Sequence, residues 1–153
     1  MDAIQSAVSP EAPAVCPQDH VEPLLAEQDF GRWQGLTYAE LAAGRSGAWQ
    51  RFWRAPADEA PPGGESFAAL ARRVAGAIET LTRRHAGRDI VCISHGGPIR
   101  AALAHALALA PEQALSFAID TCSLTRLDHF AEEAQPGGRL GGSWRIALVN
   151  DGG

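Results

Sequence analysis

Asp89-Ile90-Val91-Cys92-Ile93-Ser94-His95-Gly96-Gly97-Pro98-Ile99-Arg100 is the stretch on which the fold turns. Ile90 to Ile93 is an uninterrupted apolar run, the pattern of a strand buried on both faces of a parallel sheet. Gly96 and Gly97 make a turn, and Pro98 suits the first turn of an alanine-rich helix that runs through Leu109. A strand feeding directly into a helix places His95 at the strand's carboxyl end, where open α/β sheets bind ligands. The helix start offers free N–H groups and the positive end of its dipole, the glycines allow close approach to the backbone, and the imidazole can add a charged hydrogen bond. A phosphate group is the ligand this arrangement suits, with His95, Gly96 and Gly97 around it. The structural alternative is a histidine that only satisfies a turn.

Working outward, Ser66 is a good N-cap for a long helix in which Phe67, Leu70, Val74, Ile78 and Leu81 form one stripe and the arginines take the other side. That helix ends near His85 to Gly87. Further upstream, Thr37 and Glu40 stand in capping-box spacing ahead of Leu41, with Gly44 as a stop. Trp49, Phe52 and Trp53 share a face of a second short helix, and Pro56 to Gly64 reads as a loop. Ala14 to Cys16 suits a brief strand, and Met1 to Ala7 reads as the back half of an amphipathic helix with no capping residue ahead of it. Downstream, Pro111 opens a short helix. Cys122 to Leu127 and Trp144 to Val149 read as strands of a hairpin with a long glycine-rich loop. The predicted fold is α/β, three layers of α/β/α around a mostly parallel sheet, in a single domain spanning 1–153.

Composition narrows the classes of function. The chain has 153 residues, 46% of them apolar, enough for one real core. A net charge of -5 and an isoelectric point near 5.5 argue against a general nucleic-acid or membrane-surface binder. An anionic ligand must therefore be held by a few local donors. Neither a signal peptide nor a transmembrane run is visible, so a cytoplasmic protein is expected. Cys16, Cys92 and Cys122 lack CxxC spacing and read as reduced thiols. His20, His105 and His129 have no ligand spacing among themselves, so neither a metal nor a cofactor is expected.

A second candidate site is Glu27-Gln28-Asp29-Phe30-Gly31-Arg32-Trp33-Gln34-Gly35. A carboxylate beside aromatic rings in a glycine-flexed loop can be made a proton donor by desolvation; a solvated acidic turn explains it equally well. The third is Gly64-Glu65-Ser66, where capping by Ser66 and the helix dipole already account for both side chains.

In this order and spacing, the loop from Glu27 to Gly35, then Gly64-Glu65-Ser66, then Ser94 to Arg100 resemble the histidine phosphatase, or phosphoglycerate mutase-like, superfamily. α-Ribazole phosphatase-like proteins look nearest. The resemblance implies that His95 binds the transferring phosphoryl group and steadies its transition-state charge. It implies that Glu27 protonates the leaving alcohol and then helps to activate water. Glu65, Arg100, Trp53 and Arg54 are candidates for substrate contact or support. The expected ligand is a small phosphorylated metabolite, and a homodimer is left open. Phosphatase is favoured over mutase, because the mutases of this family carry a longer insertion between Gly35 and the Gly-Glu-Ser motif.

The family's nucleophile is a histidine in an Arg-His-Gly motif after the first strand, and no such motif occurs here. Arg84-His85-Ala86-Gly87 is the nearest match, and it falls at a helix end, where a cation suits the dipole. The expectation is therefore a domain truncated at its N-terminus that lacks the first strand, the nucleophile and both pocket arginines. A second expectation is a phosphate-ester binder or regulatory module without catalysis. An α/β-hydrolase fragment is disfavoured by the absence of a Gly-x-Ser-x-Gly elbow.

Overall fold

The structure, a computed structural model, describes residues 20–44, 47–130 and 143–152. The expected helix of Met1 to Ala7, the expected strand of Ala14 to Cys16 and the thiol of Cys16 lie outside the described residues.

Two short 3-10 turns, Pro23–Leu25 and Gly31–Trp33, bracket the Glu27 loop. Helix α1, Tyr38–Ala43, begins on the predicted capping box: Thr37 Oγ1 accepts from the Glu40 amide, and the Glu40 carboxylate accepts from the Thr37 amide. Helix α2, Ala48–Arg54, buries Ala48 and Phe52. Helix α3, Phe67–Arg84, starts where Ser66 Oγ accepts from the Ala69 amide at 3.2 Å. Its buried face is Phe67, Leu70, Val74 and Ala77. The predicted stripe is thus correct at its N-terminal end, and Ile78 and Leu81 are half-buried. Helix α4, Gly96–Leu107, ends two residues before Leu109, with Ala108 left-handed at φ 52°. Helix α5 is Pro111–Ala114.

The core lies between α3 and α4. Phe67, Leu70 and Val74 meet Ala101, Ala104 and Ala114, with Leu25, Ile78 and Phe117 packed at its margin. Alanines on one helix let the other come close, so the larger side chains of α3 fill the interface without voids. Strands β1, Leu124–Phe130, and β2, Ser143–Asp151, pair antiparallel as the predicted hairpin, with His129 opposite Trp144 and Asp128 opposite Arg145. The Asp128 carboxylate bonds both Arg145 and Arg126, and these bonds hold its pKa below the usual range. The Trp144 ring stands 5.9 Å from His105 of α4, which ties the hairpin to the helix.

The mixed α/β content is as expected, but the sheet differs. The predicted buried strand at Ile90 to Ile93 makes no ladder, and the one sheet among the described residues is the two-stranded antiparallel hairpin. Val91 and Ile93 are 90% and 85% exposed. Hydrophobicity gives a segment the tendency to be a buried strand; only a neighbour supplies the hydrogen bonds and the cover. No described residue supplies that neighbour. Among the described residues, no helix is long and apolar enough to cross a membrane.

The α3–α4 interface makes one expectation direct. Leu70 is fully enclosed, so Leu70→Ala should lower unfolding free energy by about 2–5 kcal/mol in chemical denaturation. Leu81→Ala, at the half-buried end of the stripe, should cost clearly less.

Candidate active site

The Glu27 loop and the start of α4 meet. Glu27 is half-buried. One carboxylate oxygen accepts from the amide of Gln28 at 2.8 Å, and the other accepts, at 3.4 Å, from the amide of Gly97 in the first turn of α4. A Cβ at position 97 would fall on the Glu27 carboxylate, so only glycine leaves room for it. Ser94 Oγ donates to the Leu25 carbonyl at 2.7 Å, fixing the other flank of the loop to the residue before His95. Two regions far apart in sequence, both predicted as site segments, are therefore one place.

His95 holds the N-cap position with extended backbone, φ -126° and ψ 171°, and its side chain caps nothing. The imidazole is exposed. Of the first-turn donors beside it, the Gly97 amide serves Glu27, residue 98 is a proline and the Ile99 amide bonds the His95 carbonyl, which leaves the imidazole and the Gly96 amide to meet an anion. Arg100, one turn on, donates from Nε to the Phe117 carbonyl at 2.8 Å, and its guanidinium lies alongside Gly96. That contact anchors the chain after α5 to α4 and sets a positive charge near the same helix start.

Glu65 is no mere neighbour of a capped helix. Arg73 of α3 reaches it with Nη2 at 2.6 Å and Nε at 3.1 Å. The Asp29 amide donates to the same carboxylate, and the Glu65 amide donates back to the Asp29 carbonyl. Buried Gln28 adds a bond from Nε2 to the Glu65 carbonyl at 2.9 Å. The bonds from Arg73 chiefly, and that from Asp29, hold the Glu65 pKa below its ordinary value against the opposing effect of burial. Gly31 and Gly64 touch backbone to backbone, and a side chain on either would strike the other loop.

Arg73 is the residue that the sequence reading missed. The arginines of α3 were expected on its solvent side, and Arg72, Arg83 and Arg84 are exposed. Arg73 instead points to the loop, with Nη1 on the Leu24 carbonyl at 2.8 Å and Nη2 on the Glu27 carbonyl at 3.0 Å. It stands one residue before Val74 of the buried face, and the pattern Glu65 to Arg73 was the available signal.

Trp53 and Arg54 are both exposed on α2. Trp53 closes an aromatic cluster in which Trp33 meets Trp49 and Phe52 edge to face, with ring centroids 5.6 and 5.2 Å apart. A separate cleft of 630 Å³ is walled by Arg32, Trp33, Ala48, Arg51, Ala60 and Pro62. Neither His95 nor Glu27 lines it, and neither Trp53 nor Arg54 does. Among the described residues, no three His, Cys, Asp or Glu side chains come together as a metal site.

Two substitutions probe this geometry. Gly97→Ala should displace the Glu27 carboxylate from α4 while leaving helix content unchanged; an X-ray structure with Glu27 still on the residue 97 amide would contradict the packing. Glu65→Gln should cost about 1.5–3 kcal/mol at neutral pH, the range for a hydrogen bond to a charged group. Because the folded pKa of Glu65 is depressed, its contribution is complete above the unfolded value of about 4.3 and disappears as pH falls through the folded one. The gap between Gln and Glu forms should therefore begin to narrow in urea titrations as pH falls below about 4.3 and close once it is below the depressed folded pKa.

Residues 10–136 match the family model described as histidine phosphatase superfamily, branch 1. The chain is 36% identical over 110 residues to the bifunctional protein Rv2228c of Mycobacterium tuberculosis, covering 72% of this chain and 30% of that protein. It therefore spans less than a third of that relative's length. A solved structure of mycobacterial glucosyl-3-phosphoglycerate phosphatase with VO3 superposes with a TM-score of 0.71 at 29% identity, over 89% of this chain and 65% of the other. The α-ribazole phosphatase of Shigella flexneri superposes with a TM-score of 0.67 at 23% identity, over 86% of this chain and 60% of the other, and shares the fold.

Proposed function

Because the chain belongs to the histidine phosphatase superfamily, branch 1, we propose that it is a phosphomonoesterase-type domain for a small phosphorylated metabolite. In its intact form the reaction passes through a phosphohistidine whose nucleophile is an Arg-His-Gly histidine, a motif these 153 residues lack. The observation that carries the reading is the Glu27 carboxylate lying against the amide of Gly97, two residues beyond His95.

On this reading the phosphoryl group sits at the start of α4, with His95 and the Gly96 amide donating to its non-bridging oxygens. A nucleophilic nitrogen forms a bond to phosphorus as the ester P–O bond breaks, and the departing alcohol oxygen takes the proton of the Glu27 carboxyl. Water then attacks phosphorus, gives a proton to Glu27, and frees the histidine. The short connection from Gly35 to Gly64 supports phosphatase over mutase. Among the described residues nothing pairs with Ile90 to Ile93, and Val91 and Ile93 stand exposed, which supports a place for a further strand beside this segment.

The missing motif favours one other reading, a phosphate-ester binder without turnover. Calorimetry with inorganic phosphate and vanadate, run beside hydrolysis of p-nitrophenyl phosphate, separates the two. Binding is expected, and His95→Ala should weaken it roughly tenfold to a hundredfold, the loss of one charged hydrogen bond. Equal affinity of the two forms would remove His95 from the site. Where the protein turns over, Glu27→Gln should slow esters of poorly acidic alcohols far more than the activated nitrophenyl ester.

A further inference from the structure

We propose that Arg73 and Glu65 form a positioning pair that holds Glu27 in place through its backbone, without touching its carboxylate. The inference rests on the reading of Glu27 as the proton donor, and it concerns how that donor is aimed.

The guanidinium uses three nitrogens on three targets. Nη1 takes the Leu24 carbonyl, Nη2 takes the Glu27 carbonyl and Glu65 Oε1, and Nε takes both Glu65 oxygens. Glu65 passes the restraint on, accepting from the Asp29 amide while its own carbonyl accepts from Gln28 Nε2. Every residue flanking Glu27 from 24 to 29 that bonds to this pair is thereby tied to α3. The same helix packs on α4 through Leu70 and Val74. Loop and acceptor helix therefore share one rigid base, and the carboxylate reaches Gly97 because both ends are referred to α3.

The charge arrangement matters as much as the geometry. Glu65 takes the charge of Arg73 in a fork, so the loop gains rigid hydrogen bonding without a free cation at its centre. Lysine keeps the charge but cannot span three acceptors, which makes it the informative replacement.

The experiment is acid titration of the nitrogen-15 labelled chain followed at the amides of Gln28 and Gly97, which bond to the two oxygens of Glu27. In wild type both signals should move with one carboxyl group, and Glu27→Gln should abolish both movements. In Arg73→Lys the Gln28 movement, local in sequence, should persist while that of Gly97 falls by half or more. A purely stabilising role for Arg73 would lower the melting temperature and leave the Gly97 movement whole, and that result overturns the proposal. Should Arg73→Lys fail to fold, Glu65→Gln decides it on the same criterion. The readout needs no phosphate, so a chain that binds none would defeat the functional reading and leave this test standing.

Discussion

A carboxylate against the first-turn amide of a helix is the contact from which the rest of the site follows. It exists because position 97 has no side chain: a single methyl group there would occupy the place of the Glu27 carboxylate. The positive end of α4 attracts that carboxylate by about 0.3–1 kcal/mol in an exposed setting. Such an attraction could not draw in a free loop against its entropy, since fixing even one residue costs about 1–2 kcal/mol. The loop must be ordered by something else first. Its bonds to Glu65, Arg73 and Ser94 supply that order.

The segment before His95 shows what the described residues do not provide. Ile90 to Ile93 presents apolar side chains and unpaired backbone groups to solvent, the condition that natural sheets cover or pair. Among the described residues, His95 is positioned by α4, whose N-cap it is, and by the Ser94 bond to Leu25. A strand laid along this edge would cover Val91 and Ile93 and restrain the imidazole from behind.

How much of this was legible in the sequence depended on whether the determinant was local. The capping box of Thr37 and Glu40, the Ser66 cap and the N-terminal part of the buried face of α3 arise from neighbours within a few residues, and all were readable; the hairpin, whose partners lie farther apart, was readable from its two apolar runs and the glycine-rich stretch between them. The strand at Ile90 was not, because its apolar pattern states a requirement and another strand must fulfil it. His95 and Glu27 could be singled out by setting, yet their junction rests on a backbone amide and a missing Cβ, which no spacing rule reports. Glu65 seemed fully explained by the helix it precedes. Its actual partners, Arg73 and Asp29, are linked to it by the fold of two loops. Arg73 was misplaced because helical periodicity assigns a polar residue to solvent by default, whereas a long side chain beside the buried stripe can turn inward when carbonyls await it.

The loop from Glu27 to Gly35 is anchored at both ends by different chemistry, and that division explains why the aromatic cluster lies apart from the acid. At the Glu27 end, hydrogen bonds to α3 and α4 determine direction to within a bond's tolerance. At the Trp33 end, rings packed edge to face against Trp49 and Phe52 fasten the loop to α2 by area and by quadrupole. Between them Gly31 presses on Gly64, backbone against backbone. Aromatic packing tolerates small slides; a hydrogen-bonded fork does not. The acid is thus placed on the more exacting anchor.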